Sequence, residues 1–233
     1  MNSLENEVVA RTLTQLHKEA EVADTEFITR LMEIVKAQGL TIEQFVSQRM
    51  ASEREDYKET LQRNAANFLA VSPDYGRFVY ALARVRKATR IVEFGTSMGV
   101  STIYLAAALR DNGGGHLIGS EFVPSKADRA RENLAIAGLA DLVDIRQGDA
   151  METLKDVGGK VDLLLIDGAF SLYLPVLKLL EPQLNPAAVV LAENAFDKAY
   201  VDYVRDPVHG YISMALPKSQ EDRGNQFSVK VGW

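Results

Sequence analysis

Cysteine is absent from the 233 residues. That lack removes disulfides, thiolate nucleophiles and zinc-thiolate sites together, so chemistry is left to carboxylates, hydroxyls, lysines, three histidines or a bound cofactor. Long apolar runs are missing too: none approaches the ~20 residues of a membrane span. The opening residues 1–13 show neither the basic region nor the apolar stretch of a secretory signal, and the expectation is a cytoplasmic protein with no membrane attachment. Basic residues are in deficit. The 26 Lys and Arg against 32 Asp and Glu leave a net charge of -6, and they are scattered rather than gathered into a stripe. No nucleic-acid footprint is visible, and a small or neutral partner fits better. What is present, 47% hydrophobic and 25% charged residues, suffices for one α/β domain with a smaller appendage.

The appendage is residues 1–71. Apolar residues recur at helical spacing through Val9, Leu13 and Leu16, then Phe27, Leu31 and Ile34, then Ile42, Phe45, Val46 and Met50, then Tyr57, Leu61, Ala65 and Phe68. Asp24 is expected to cap the second of these helices and Gly39 to close it, while Thr41 with Gln44 forms a capping box for the third. Ser72-Pro73 opens a fifth helix, with Tyr75, Phe78, Val79, Leu82 and Val85 on one face. From Thr89 onward, short β-rich runs alternate with amphipathic helices, which predicts a parallel sheet with helices on both faces for residues 72–233. The last two β-rich runs, around Tyr211 and Phe227, are joined only by the polar segment Pro217 to Asn225 and predict a hairpin.

Chemistry concentrates at the ends of the first three strands. Gly95 and Gly99, in Gly-Thr-Ser-Met-Gly, fall where the first strand hands over to a helix, the place where open α/β sheets bind ligands and where glycine lets backbone approach them. Glu93, Glu121 and Asp149 each bring a carboxylate to that same rim. A carboxylate at the end of the second strand suits a ribose, because it accepts hydrogen bonds from both hydroxyls. The glycines lack the Gly-X-Gly-X-X-Gly spacing of a dinucleotide site, and a cationic sulfonium cofactor suits an acidic rim better.

The stretch from Ile91 to Phe196 resembles class I S-adenosylmethionine methyltransferases of the catechol and caffeoyl-CoA O-methyltransferase-like group. The resemblance is carried by Val-Glu-Phe-Gly-Thr-Ser-Met-Gly-Val-Ser at 92–101, Ser-Glu-Phe-Val-Pro at 120–124, Gln-Gly-Asp-Ala at 147–150, Leu-Leu-Ile-Asp-Gly-Ala-Phe at 164–170 and Leu-Ala-Glu-Asn at 191–194. It implies a Rossmann-like seven-stranded, mostly parallel sheet whose last strand is antiparallel, behind a helical N-terminal extension. It further implies that Glu93, Gly95, Ser97 and Ser101 surround the methionine end of the cofactor, that Glu121 holds the ribose with Phe122 beside the adenine, that Asp149 and Ala150 bound the adenine, and that Asp167 lies near the methyl group. The activity implied is methylation of a small aromatic acceptor, at oxygen first and with nitrogen left open.

Two departures from the family pattern concern the metal. Metal-dependent relatives carry Asp-X-X-Lys after the fourth strand and Asp-Asn after the fifth; here Asp167 and Asn194 are kept, Glu193 replaces the second aspartate and Phe170 replaces the lysine. Asp167, Glu193 and Asn194 are the candidate ligands of a magnesium ion, whose requirement stays open because glutamate is longer and magnesium demands near-octahedral oxygen geometry. Lys178 is two turns beyond the missing lysine, and His17 is a candidate base if the N-terminal helices fold over the rim. Met98, Phe170 and Tyr173 fit either a flat acceptor site or the core. Two rivals stand beside this reading: an α/β-hydrolase using Ser97, Asp167 and His209, since Gly-Thr-Ser-Met-Gly also satisfies the nucleophile-elbow pattern, and a non-catalytic cofactor-binding protein. Residues 1–71 are expected to cap the site and form a homodimer interface.

Overall fold

The structure, a computed structural model, describes residues 2–216 and 224–232. Seven strands make one sheet: β1 (Arg90–Phe94), β2 (His116–Glu121), β3 (Val143–Gln147), β4 (Val161–Ile166), β5 (Leu184–Ala192), β6 (Tyr211–Ala215) and β7 (Gln226–Lys230), in the order β3-β2-β1-β4-β5-β7-β6. The first five are parallel, and β7 runs antiparallel between β5 and β6. The strand order reverses between β2-β1 and β1-β4, so the crevice beyond their carboxyl ends is the switch point at which such sheets take ligands. Every residue of β4 is buried, as a strand covered by helices on both faces requires.

Helices α3 (Pro73–Arg86), α4 (Val100–Asp111) and α5 (Pro124–Ile136) cover one face; α6 (Ala150–Thr153), α7 (Tyr173–Leu180) and α8 (Lys198–Arg205) cover the other. The predicted start of α3 is present, with the Ser72 hydroxyl accepting from the Tyr75 N–H and Pro73 in the first turn. Val85 is not on its buried face; it is 82% exposed, because two residues past the fully buried Ala83 it points to the opposite side of the helix.

Two helices lead into this domain, α1 (Glu7–Ala37) and α2 (Ile42–Arg63). The two predicted helices over 7–37 are one, since nothing between Leu16 and Phe27 breaks the backbone ladder. Asp24 is therefore not a helix cap. It is buried, and its carboxylate accepts from the N–H groups of Phe68 and Leu69 at 2.9 and 2.7 Å, tying α1 to the segment before α3. The apolar face Val9, Leu13, Leu16 and Ala20 enters the core beside Tyr104 of α4. The capping box of Thr41 and Gln44 opens α2 as expected. That helix is interrupted at Asp56 (φ -152°, ψ 86°), whose carboxylate restarts it by accepting from the Glu59 N–H at 3.0 Å. Ala65 and Phe68 lie beyond its end. The hairpin of β6 and β7 is present, with Tyr211 opposite Lys230 and Ala215 opposite Gln226; residues 217–223 of the predicted connecting loop lie outside the described residues. No helix among the described residues is long and apolar enough to cross a membrane.

Candidate functional site

Glu93 closes the inner end of the site. Its carboxylate is fully buried and accepts from the hydroxyls of Ser101 (2.7 Å), Thr102 (2.5 Å) and Thr96 (3.1 Å). Burial pushes its carboxyl above the ordinary glutamate range, the three hydroxyls hold it down, and the charge of Glu121 adds to the rise. Glu93 thus stands one layer behind the cavity and fixes the first turn of α4, whose Ser101 is in the wall itself. Gly95 is required where it stands. At φ +95° its Cα comes so close to the end of β4 that an added Cβ would lie 2.3 Å from the carbonyl oxygen of Asp167, and no side chain fits.

Glu121 ends β2 and is 5% exposed. Its Oε2 accepts from the Ser97 N–H at 2.7 Å and its Oε1 from the Val123 N–H at 2.8 Å. Burial pushes its carboxyl up; the Val123 N–H, the nearby Lys126 and the N–H groups of Ser97 and Phe122 restrain the rise. Ser97 holds a left-handed backbone (φ 48°), unfavourable for a residue with a side chain. Two bonds keep it there: the N–H to Glu121, and its hydroxyl donating to the Phe68 carbonyl at 2.7 Å.

Asp149 begins α6, its Oδ1 accepting from the Met151 N–H at 3.0 Å. Its Oδ2 takes the Tyr57 hydroxyl at 2.6 Å and faces Lys58 Nζ at 3.3 Å, both from α2. Burial works against the charge, but these hydrogen bonds and Lys58 outweigh it and hold the carboxyl below its ordinary range. Tyr57, Phe122, Asp149 and Ala150 line a narrow slot that opens at Gly95 and Glu121 into the main cavity.

The main cavity, about 210 Å³, runs from Glu121 and Lys126 past Gly95 and Ser97 to Asp167, Phe170 and Asn194. Its opposite wall is helical: Phe27 from α1, and Arg49, Glu53 and Leu61 from α2. Met98 and Phe170 are lining residues, whereas Tyr173 is core, fully buried with its hydroxyl donating to the Glu193 carbonyl at 2.6 Å. Asn194 also has a left-handed backbone (φ 50°) and donates its N–H to the Asn225 side chain at 2.9 Å. Glu193 is buried, outside the cavity lining.

Three candidates fall elsewhere. His17 lies in a separate groove with Arg77 and Tyr104, its Nε2 3.1 Å from the Tyr104 hydroxyl, and burial followed by the charge of Arg77 lowers its pKa. His209 precedes β6 at the opposite end of the sheet and stacks on Tyr203 at 3.8 Å between ring centroids. Lys178 rests over the Tyr203 ring, 5.0 Å from its centroid. With its histidine at the far end and the Ser97 hydroxyl engaged by Phe68, the hydrolase triad is not assembled. The lining residues Phe27, Arg49, Glu53, Tyr57 and Lys126 carry no local signal in sequence, because packing alone brings them to the rim.

A seven-stranded sheet of this order, with glycine at the first turn and carboxylates ending successive strands, defines the class I methyltransferase fold. Residues 92–195 match the methyltransferase-domain family. The chain is 35% identical over 130 residues to a catechol O-methyltransferase of Niastella koreensis, covering 54% of this chain and 58% of that one. It is 41% identical over 100 residues to a catechol O-methyltransferase of Mycobacterium tuberculosis, covering 42% of this chain and 44% of that one. Among solved structures, the O-methyltransferase TomG of Streptomyces achromogenes, in complex with S-adenosylmethionine, superposes with a TM-score of 0.64 at 26% identity over 70% of this chain and 82% of that one. The chain spans about half the length of the curated relatives it matches. Residues 92–195 are thus similar to the methyltransferase domain, and the chain to catechol and, more distantly, caffeoyl-CoA O-methyltransferases.

Proposed function

We propose that this chain binds S-adenosylmethionine along the rim from Asp149 to Ser101 and transfers its methyl group to a hydroxyl of a small aromatic acceptor. One observation carries the reading: a single cleft joins the Glu121 end to a compartment between Phe27 and Phe170, with Asp167 and Asn194 at its side. The cofactor, when bound, supplies an electrophilic methyl carbon. The protein's own contribution is alignment and a dry site, which is most of what an in-line displacement needs. Glu121, its oxygens fixed by two backbone N–H groups, presents a carboxylate to the ribose hydroxyls. Phe122 and Ala150 bound the adenine beside Asp149, Glu93 holds Ser101 at the methionine end, and α1 with α2 excludes water from the acceptor compartment.

The donor set does not fit a resident divalent ion. Asp167 and Asn194 line the cavity, but Glu193 is buried outside its lining, so the two carboxylates do not share that surface. We therefore derive no step through magnesium. Residues 1–71 serve as a cap, and the exposed Val22, Ile28, Met32, Ile34 and Ile42 of α1 and α2 support a homodimer through that surface. A monomeric mass in solution at assay concentration would overturn the dimer.

A screen of phenols, catechols and aromatic N-heterocycles, followed by formation of S-adenosylhomocysteine, tests the activity. Turnover dependent on a phenolic acceptor supports it. Tight cofactor binding with no turnover on any acceptor class would favour the non-catalytic reading.

A further inference from the structure

The family resemblance puts a lysine where this chain has Phe170, so a proton acceptor for the methylated hydroxyl has to come from another element. Building on the methyl-transfer reading, we propose that Glu53 of α2, packed against the turn at Phe170, is the general base that takes the acceptor's proton.

Glu53 is a cavity-lining residue, yet its side chain is only 3% exposed. It packs against the turn itself: Oε2 lies 3.3 Å from the Ser171 N–H. Oε1 lies 3.7 Å from Arg49 Nε, beyond hydrogen-bond reach, and that Nε is buried with no hydrogen-bond partner among the described residues. These two contacts are longer than the ~2.7–2.9 Å of a full charge-assisted bond, so Ser171, with the Phe170 N–H and Arg49 also acting on it, positions the carboxylate without a tight ion pair. The Glu121 carboxylate, by contrast, is committed to backbone, carrying the Ser97 and Val123 N–H groups. Asp167 follows β4, just ahead of the Phe170–Ser171 turn.

The groups facing Glu53 are Arg49 from its own helix, the N–H groups of Phe170 and Ser171 from the turn, the uncharged Phe27 ring from α1, and Asp167 and Asn194 across the cavity. Burial is the largest influence and pushes the Glu53 carboxyl above its ordinary range, ahead of the two N–H groups and Arg49, which lower it. A carboxylate raised this way is a better match to a phenol, since proton transfer is most efficient when donor and acceptor strengths approach each other. In the step, the acceptor's O–H bond breaks and its proton passes to the Glu53 carboxylate. The oxygen's electron pair forms the new O–C bond, the S–C bond breaks with its pair going to sulfur, and S-adenosylhomocysteine leaves as a neutral thioether. Glu53 then returns the proton to solvent.

The test compares wild type and Glu53→Gln with two acceptors: an ordinary catechol, and a nitro-substituted one already ionised at assay pH. The expected result is a loss in kcat of about 10²–10⁴-fold with the catechol, shrinking to a few-fold with the nitrocatechol, at unchanged affinity for S-adenosylhomocysteine. The rise of rate with pH through an ionisation above the usual glutamate range should vanish in the variant. Should the glutamine variant fail to fold, Glu53→Asp serves, keeping the pH dependence while losing rate. Equal losses with both acceptors, or an unchanged rate with the catechol, would overturn the base assignment while leaving methyl transfer intact; absence of turnover by wild type with every acceptor would overturn both.

Discussion

Replacing Glu121 with alanine is expected to separate the two tasks of that carboxylate. In the free protein it accepts the N–H groups of Ser97 and Val123 at 2.7 and 2.8 Å, and in the complex it would also accept the ribose hydroxyls. Losing hydrogen bonds to a charged group costs about 1.5–3 kcal/mol, so affinity for S-adenosylhomocysteine should fall about 10- to 150-fold. Each buried N–H left without an acceptor costs a further ~1–3 kcal/mol of folding stability, or about 2–4 °C in Tm per kcal/mol for a domain of this size. Ser97 is the more sensitive, because its left-handed backbone (φ 48°) then has only the bond to Phe68 to hold it. Calorimetric titration well below the lowered Tm reads the first effect and a thermal melt without ligand reads the second. Unchanged affinity beside a lowered Tm would refute the ribose assignment and leave Glu121 with a structural role only.

Asp24→Ala should destabilise the fold by about 2–5 kcal/mol, since two backbone N–H groups lose their acceptor; urea denaturation checks it, and a change under 1 kcal/mol would show that the 67–71 segment is held by other contacts. Gly95→Ala should abolish cofactor binding, because a Cβ there collides with the Asp167 carbonyl, and retained binding by calorimetry would contradict the close packing of β1 and β4. Glu93 has a raised carboxyl pKa, so its contribution to stability is present at acid pH and is lost as pH rises through the folded value. Glu93→Gln should flatten the dependence of Tm on pH above the ordinary glutamate range, and an unchanged slope in melts across that range would count against it. Exhaustive chelation should leave methyl transfer at its original rate, and loss restored by magnesium would restore Asp167, Glu193 and Asn194 as metal ligands.

The sheet and its rim were legible because their signals are local. β-rich runs alternate with helical ones from Thr89, and Glu93, Gly95, Glu121 and Asp149 each sit at a strand end that the pattern itself marks. The helical half was harder. Asp24 carries the chemistry of a helix cap, but an aspartate's oxygens accept any nearby N–H, and the pair they find is 44 and 45 residues away. The break at Asp56 was hidden for the opposite reason: apolar spacing continues across it although the backbone does not. Tyr57, Lys58, Arg49 and Glu53 reach the site only through the way α2 lies over the rim, an arrangement written in no stretch of sequence shorter than the whole domain. The phenylalanine at 170 was plain in sequence, whereas the packing of Glu53 against that turn required the folded structure.

The most direct measurement of the central claim follows the methyl group itself. The intact protein is incubated with S-adenosylmethionine carrying a ¹³C-labelled methyl and with the best acceptor from the phenol screen, and the product is read by NMR. The account predicts a labelled methyl ether on the acceptor's ring oxygen and one equivalent of S-adenosylhomocysteine, both formed more slowly by Glu121→Ala at a cofactor concentration that saturates wild type but not the variant. Label found on no acceptor, with the cofactor bound and unchanged, would contradict it.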